Sequence, residues 1–137
     1  MLAEAATLDS RPVIHVMADE CDALYALALS AEHQHPQSAA MLLAELDRAE
    51  LCDADLPPQT VRMNSSIEFV DEGSGMRRTV QLVYPADADI TAGRVSILTP
   101  IGAGLIGMSA GHAIPWPDRE GHVRSLRIVS VAPPDRG

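Results

Sequence analysis

The chain has 137 residues, 47% of them hydrophobic, and carries 19 acidic against 10 basic side chains, for a formal net charge of −9. This length predicts one domain, or one small domain with an appendage, and the apolar fraction is sufficient for a hydrophobic core. Aromatic residues make up only 3%, so that core is expected to be aliphatic. Because affinity for DNA or RNA comes mainly from basic side chains that neutralise phosphates, the acidic balance argues against direct nucleic-acid binding. No apolar run approaches the roughly 20 residues that a transmembrane helix requires.

The first residues, Met1–Pro12, follow no hydrophobic period, and we predict a loose tail there. They lack the basic start and the long apolar run of a secretory signal peptide. Cys21 and Cys52 are far apart and form no CxxC pair, which is typical of reduced thiols and not of a disulfide framework. Together these features predict a cytoplasmic protein.

Two amphipathic helices are predicted next, after a short apolar strand at Val13–Met17. Asp19 is the candidate N-cap of the first helix, and Ser38 is the candidate start of the second. Both segments place apolar residues at the i, i+3, i+4, i+7 spacing of one helix face. These stripes are Leu24, Leu27, Ala28 and Ala31 in the first helix, and Leu42, Leu43, Leu46 and Ala49 in the second.

The polar turn between the two segments predicts an antiparallel helical hairpin over residues 13–53. Each arm has about 13 residues, or roughly 20 Å at the helical rise of 1.5 Å per residue. The apolar stripes are shorter than three heptads, so we interpret them as the seam of a short coiled-coil hairpin and not as a dimer zipper. Glu32, His33 and His35 form the tip of this hairpin.

Beyond Pro57 and Pro58 the hydrophobic period changes to two, which is typical of half-buried strands. The predicted strands cover residues 61–69, 78–84, 94–98, 112–116 and 124–131. Residues 59–132 therefore predict a five-stranded, mostly antiparallel sheet with one short helix. Together with the helical hairpin, this sheet gives the whole chain an α+β fold.

The segment Leu98–Gly107 is apolar and rich in glycine, and it lies between two predicted strands. Pro100 ends the strand before it, and the apolar spacing that follows predicts a short helical turn capped by Gly107. The segment lacks the GxxxxGK[ST] pattern of a phosphate-binding loop. A buried corner of the domain is the simplest interpretation from this pattern alone.

Metal-binding and catalytic motifs are not evident. His33, His35, His112 and His122 show no HExxH or comparable ligand spacing, so we predict no metal site and no cofactor. The adjacent serines Ser65 and Ser66 lack the GxSxG motif of a nucleophile elbow. The acidic residues are scattered, so we assign no catalytic residue and expect no enzyme activity.

Four motifs occur in the same order as in a known family. They are Leu46–Glu50, Val61–Ser65, Leu82–Pro85 and Thr99–Gly107. The chain resembles the regulator of nucleoside diphosphate kinase (Rnk) family, which is related to the bacterial transcript-cleavage factors GreA and GreB. The resemblance covers residues 13–132 and implies a helical hairpin followed by an FKBP-like C-terminal domain.

The resemblance also implies a partner, which is RNA polymerase. In Gre factors the C-terminal domain docks on a coiled coil at the rim of the secondary channel, and a Ser-Pro-hydrophobic element makes much of the contact. The matching positions here are Thr99, Pro100 and Ile101, preceded by Leu98. Cleavage-stimulating Gre factors hold two acidic residues at the tip of a long coiled coil, whereas this tip has Glu32 alone. The expectation is therefore a monomeric transcription regulator that competes with Gre factors at the rim without stimulating transcript cleavage.

A different function stays open at this point. FKBP-like folds suggest peptidyl-prolyl isomerisation, for which Phe69, Tyr84 and Trp116 could line a pocket, or a binding module for another protein. The link to nucleoside diphosphate kinase has no counterpart in any residue, and polymerase binding could produce it indirectly.

Overall fold

A computed structural model describes residues 13–117 and 123–132 of the chain. The predicted tail at Met1–Pro12 and the histidine at His122 lie outside these described residues, as does the side chain of Trp116. Among the helices that are described, none combines the length and the apolarity needed to cross a membrane.

Two helices of 13 residues each follow a three-residue strand. The strand β1 covers His15–Met17, helix α1 covers Ala18–Ser30, and helix α2 covers Pro36–Arg48. The predicted N-cap Asp19 is wrong, because β1 runs directly into α1 and the cap position falls on Met17. The predicted start at Ser38 is two residues late, because Pro36 occupies the first helical turn, where its fixed φ suits a helix start.

Burial follows the two predicted apolar stripes. Leu24 and Ala28 of α1 are fully buried, as is Leu42 of α2, while Leu46 is 4% exposed. The remaining large stripe residues, Leu27 and Leu43, are half-buried and pack against the same core. Helices α1 and α2 contact each other through this face.

A short strand after α2 was not predicted. Strand β2 covers Glu50–Cys52 and pairs in parallel with β1, with His15 opposite Glu50. The backbone N–H of Glu50 donates to the carbonyl of Ile14 at 2.9 Å. Three residues are too few to show an alternating pattern, so this pairing could not be predicted from hydrophobic periodicity.

The remaining strands are β3 Ser66–Asp71, β4 Arg77–Val83, β5 Arg94–Ser96, β6 Ala113–Pro117 and β7 Val123–Ala132, and a third helix, α3, covers Pro100–Leu105. These strands form one five-stranded sheet in the order β5-β4-β3-β7-β6. Neighbours are antiparallel except β4 and β5, which are parallel, in agreement with the predicted mostly antiparallel sheet. Two 3-10 turns, Pro85–Asp87 and Ile90–Ala92, separate β4 from β5, and helix α3 follows β5.

The predicted strand over 61–69 is shorter than expected. Asn64 has φ 70°, which turns the chain out of the extended conformation, and β3 begins only at Ser66. The side chains of Val61 and Met63 are nevertheless buried. The Val61 backbone bonds to the end of the glycine-rich segment and to the residue after it. Its carbonyl accepts a hydrogen bond from the Gly107 N–H at 2.9 Å, and its N–H donates to the Met108 carbonyl at 2.7 Å.

One hydrophobic cluster joins the helices to the sheet. It includes Ile14 beside β1, Leu24 of α1, Leu42 of α2, Ile67 of β3 and Leu105 of α3. Phe69 is the aromatic member among the described buried residues, so the expectation of an aliphatic core is confirmed for this part of the chain.

Candidate partner interface

The start of helix α3 is fixed by its own side chains. The hydroxyl of Thr99, at the N-cap, accepts a hydrogen bond from the Gly102 N–H at 3.1 Å and donates one to the Ser96 carbonyl at 2.7 Å. Pro100 occupies the first helical turn. The two hydrogen bonds of the Thr99 hydroxyl therefore fix the backbone conformation of the turn, and with it the positions of Pro100 and Ile101.

The four residues predicted to contact a partner differ in exposure. Leu98 is only 7% exposed and belongs to the core cluster, while Thr99 and Ile101 are half-buried and Pro100 is exposed. The available surface at this point of the fold consists of Pro100 and, in part, of Thr99 and Ile101. The buried side chain of Leu98 connects this segment to the hydrophobic core.

The far end of α3 is tied to the N-terminal strand. Helix α3 ends at Leu105, and Gly107 follows with φ 78°, as the predicted glycine cap requires. The carbonyl of Gly107 accepts a hydrogen bond from the His15 N–H at 3.1 Å. Helix α3 also packs against α2, so both halves of the chain hold it in place.

An apolar cleft of about 410 Å³ opens beside Ile101. Sequence reasoning missed it, although the alternation of the β3–β4 hairpin places Phe69 opposite Arg78 on one face of the sheet. Phe69 and Tyr84 are two of the three aromatic residues predicted for an isomerase pocket, and the structure describes both side chains. Phe69 lines this cleft, whereas Tyr84 does not. The cleft is lined by Phe69, Asp71, Ser74, Met76, Arg78, Ile101 and Leu126.

The predicted tip residues lie in the turn between α1 and α2. Glu32, His33 and His35 are all exposed, and His35 occupies the N-cap position of α2 without a capping hydrogen bond from its side chain. In the part of the chain that is described, no hydrogen bond or ion pair links these three side chains to residues 98–101.

The histidines of the domain make isolated contacts. Nε2 of His15 lies 3.9 Å from a Glu50 carboxylate oxygen, and Nδ1 of His112 accepts a hydrogen bond from the Ser109 N–H at 3.3 Å. Across residues 13–117 and 123–132, no group of three or more His, Cys, Asp and Glu side chains is placed to hold a metal ion.

The buried cysteine is poorly suited to nucleophilic chemistry. Burial raises the pKa of the Cys21 thiol, and the neighbouring carboxylates of Asp22 and Asp47 raise it further. The nucleophilic thiolate form is therefore disfavoured at neutral pH.

A carboxylate connects α1 to the segment before β3. The Glu20 side chain accepts a hydrogen bond from the Met63 N–H at 3.3 Å, and its second oxygen lies 3.6 Å from Nη2 of Arg62. Burial raises the pKa of Tyr84, and the negative charge of Glu20 raises it further. The fold therefore keeps this phenol neutral to a higher pH than an ordinary tyrosine.

We expect the phenolate absorbance of Tyr84 to titrate above the ordinary pKa of 10.0. Replacing Tyr25 by phenylalanine leaves Tyr84 as the sole tyrosine, so an alkaline absorbance titration of that variant measures it directly. Adding Glu20→Gln should lower the midpoint only in part, because burial is the larger cause. Since the unfolded chain ionises first, the stability from this group is present below pH 10 and is lost as the pH rises through the raised pKa. A midpoint at or below 10.0 would contradict the burial of Tyr84 described above.

Comparison with known proteins matches this fold to one family. The family model for the C-terminal domain of the transcription elongation factors GreA and GreB matches residues 56–133, which include α3 and the whole five-stranded sheet. The regulator of nucleoside diphosphate kinase from Escherichia coli strain K12 is 35% identical over 91 residues, which are 66% of this chain and 67% of that protein.

Two further similarities extend over more of the chain. Transcription elongation factor GreA of Methylobacterium nodulans is 31% identical over 131 residues, covering 89% of this chain and 82% of that protein. A solved structure described as prokaryotic transcription elongation factor GreA/GreB from Nitrosomonas europaea superposes with a TM-score of 0.73 at 36% identity. The superposition covers 90% of this chain and 100% of the solved chain. The chain therefore belongs to the GreA/GreB transcription elongation factor family and is related to the regulators of nucleoside diphosphate kinase.

Proposed function

We propose that this protein is a transcription regulator that binds RNA polymerase at the rim of the secondary channel. In this proposal it competes there with Gre factors and does not stimulate transcript cleavage. Membership of the GreA/GreB family supports the choice of partner. The protein itself acts by occupying a surface and not as an enzyme.

The start of α3 is the observation that carries this proposal. Pro100 is exposed and Ile101 is half-buried, on a turn that the Thr99 hydroxyl fixes through two hydrogen bonds. Apolar side chains on a rigid support lose little conformational freedom when they bind, which favours a specific contact. Leu98, which is buried, supports the segment from beneath and does not provide the surface of contact.

The helices explain why cleavage stimulation is not proposed. Each has 13 residues, which corresponds to about 20 Å at 1.5 Å per residue. Glu32 is the single carboxylate in the turn between them, over residues 31–35. Magnesium ions are bound through carboxylate oxygens, so assistance at the polymerase centre would require both reach and at least one well-placed carboxylate.

We propose different roles for the two halves of the chain. Residues 13–53 form a short helical hairpin of coiled-coil type, and residues 59–132 form an FKBP-like domain that carries the docking segment. We expect a monomer, and we expect any effect on nucleoside diphosphate kinase to follow indirectly from polymerase binding.

A competition experiment tests the function as a whole. The purified protein is titrated against labelled GreA or GreB bound to core RNA polymerase, and a transcript-cleavage assay is run on the same complexes. Displacement of the Gre factor without stimulated cleavage is the expected result. Failure to displace it would refute rim docking, and stimulated cleavage would refute the role assigned to the short hairpin.

Replacing Ile101 by aspartate is expected to weaken polymerase binding by at least about tenfold, because a charge would be buried in an apolar contact. Ile90→Asp is the matched control, since Ile90 is 87% exposed in a 3-10 turn and the change in net charge is the same. Circular dichroism must show that both variants remain folded. Equal binding by both variants and the wild type would refute the assignment of α3 as the docking element.

A further inference from the structure

A second cavity, of about 320 Å³, lies at the start of β3, whereas the apolar cleft lies at the end of that strand. Strand β7 has ten residues and β6 has five, and their pairing stops at Arg127. Beyond that point the β7 backbone bonds to residues 111–112 and to the side chain of Gln59, whose Oε1 accepts a hydrogen bond from the Val131 N–H at 2.8 Å. The cavity is therefore enclosed by the end of β7 and by the segment that precedes β3.

The segment that precedes β3 is held in a constrained conformation. Gln59 has φ 59° and Asn64 has φ 70°, and within the described residues these are the two non-glycine positions with positive φ. Such backbone is unfavourable for residues with a side chain, and it is concentrated at functional sites of proteins. The Thr60 hydroxyl fixes the same segment by donating to the Pro57 carbonyl at 2.6 Å. The wall of the cavity is therefore preorganised.

The side chains that line this cavity hold hydrogen-bond donors without acceptors. Oε1 of Gln59 is occupied by Val131, but no acceptor within residues 13–117 and 123–132 bonds to its Nε2. Ser65 is 0% exposed, and its hydroxyl oxygen accepts the backbone N–H of Arg62 at 3.0 Å. Its own hydroxyl proton meets no acceptor in the same part of the chain. Thr60, by contrast, already donates its hydroxyl proton to a backbone carbonyl.

Arg62 adds a guanidinium group to the same lining. Its Nη2 lies 3.6 Å from a carboxylate oxygen of Glu20, which is an ion pair but too long for a hydrogen bond. Its Nε is buried and has no hydrogen-bond partner in the structure as described. A buried donor without an acceptor is unfavourable and rare in folded proteins. The excess of donors over acceptors favours a ligand that supplies acceptors alone.

A carboxylate ion supplies acceptors alone, because its two oxygens accept several hydrogen bonds and donate none. Its planar geometry also matches the fork of a guanidinium. The other walls of the cavity are the apolar side chains of Leu56, Pro57 and Val131, and its volume is at the small end of the range for ligand sites. Since Glu20 offsets part of the Arg62 charge, hydrogen bonds and apolar contact select the ligand more than net charge does.

We propose that this cavity is a binding site for a short aliphatic carboxylate ion. The carboxylate binds Arg62 and the Nε2 group of Gln59, and the aliphatic chain packs against the apolar walls. The inference goes beyond the proposed function and is independent of it, because none of residues 98–101 lines this cavity.

An NMR titration of the full chain with butyrate measures this binding, at an ionic strength kept constant with sodium chloride. We expect saturable shifts of the backbone N–H signals of residues 59–65 and Val131, and of the Arg62 Nε–H signal. Acetate should bind several-fold more weakly, because it buries less apolar surface. Butyramide should bind about tenfold more weakly or less, because it lacks the charge. Absence of saturable shifts, or equal affinity for sulfate and butyrate, would overturn the inference.

Gln59→Glu tests the site with a small change of shape. The variant retains the oxygen that accepts the Val131 N–H and replaces the unused donor by a second carboxylate oxygen. Its affinity for butyrate should fall by about tenfold or more. Gln37→Glu is the matched control, because it makes the same change on an exposed residue in the first turn of α2, and its affinity should stay within about twofold of the wild type. Arg62→Lys should retain part of the affinity.

Circular dichroism of each variant verifies that it is folded. Wild-type affinity for butyrate in both Gln59→Glu and Arg62→Lys would contradict the proposed site. Binding of the wild-type protein to RNA polymerase is measured separately, without butyrate. Its absence would refute the proposed function and leave the carboxylate site intact, so the two failures are distinguishable.

Discussion

Gly102→Ala is expected to destabilise the protein by about 3 kcal/mol or more, in the upper range for overpacking substitutions. A Cβ atom at this position would fall on the carbonyl oxygen of Ser96 and lie 2.9 Å from Cα of Ile97. Both neighbours are backbone atoms of the adjacent strand and turn, so no side-chain rotation can relieve the overlap. The expected sign is opposite to the usual helix preference, in which alanine is favoured over glycine by about 1 kcal/mol.

Urea unfolding followed by circular dichroism measures this change in the free energy of unfolding. Gly73→Ala is the control, because its Cβ atom would approach only one side-chain oxygen of Asp71, at 3.3 Å. We expect its effect to stay below about 1 kcal/mol, as for most surface substitutions. Equal stability of Gly102→Ala and the wild type would mean that α3 does not lie against the end of β5 as described.

Gly107→Ala is expected to cost about 3 kcal/mol, from two sources that add. Gly107 has φ 78°, and a residue with a side chain loses roughly 1–2 kcal/mol in this left-handed region. The added Cβ atom would also lie 2.8 Å from Cβ of Ile14 and 3.1 Å from the His15 carbonyl oxygen, which costs about 1–3 kcal/mol by overpacking. The substitution therefore strains the junction between β1 and the end of α3.

Gly75→Ala separates these two sources. Gly75 has φ 79°, nearly the same as Gly107, but nothing lies within 4 Å of its added Cβ atom. Its unfolding free energy should fall by the conformational part alone, about 1–2 kcal/mol. Equal losses for Gly75→Ala and Gly107→Ala would show that the contact with Ile14 and His15 contributes nothing.

Local periodicity was sufficient to predict much of the fold. The apolar stripes of both helices are buried where their spacing places them, and the return strand is observed as Arg77–Val83 against the predicted 78–84. Pro100 and Gly107 bound the short helix at the positions that their backbone preferences suggest. These features depend on residues within a few positions of each other.

Local patterns failed where a distant partner decides the conformation. Asn64 interrupts an alternating run because Val61 bonds to Met108 and the chain must then turn into β3. Strand β2 exists only because β1 lies beside it, across the two intervening helices. Pairing of this kind depends on separation in space and leaves no period in the sequence.

The candidate site likewise combines features set by neighbouring residues with features set by distant ones. The position of a proline and an apolar residue at the start of a short helical turn could be predicted from local order alone, because Thr99, Pro100 and Ile101 are consecutive and their backbone preferences are local. The burial of Leu98 beneath them is visible only in the folded chain, as is the cleft that Met76 and Arg78 line together with Ile101. The reason is that exposure and cleft geometry depend on how far a six-residue helix covers the sheet, which is set by packing between segments distant in the chain.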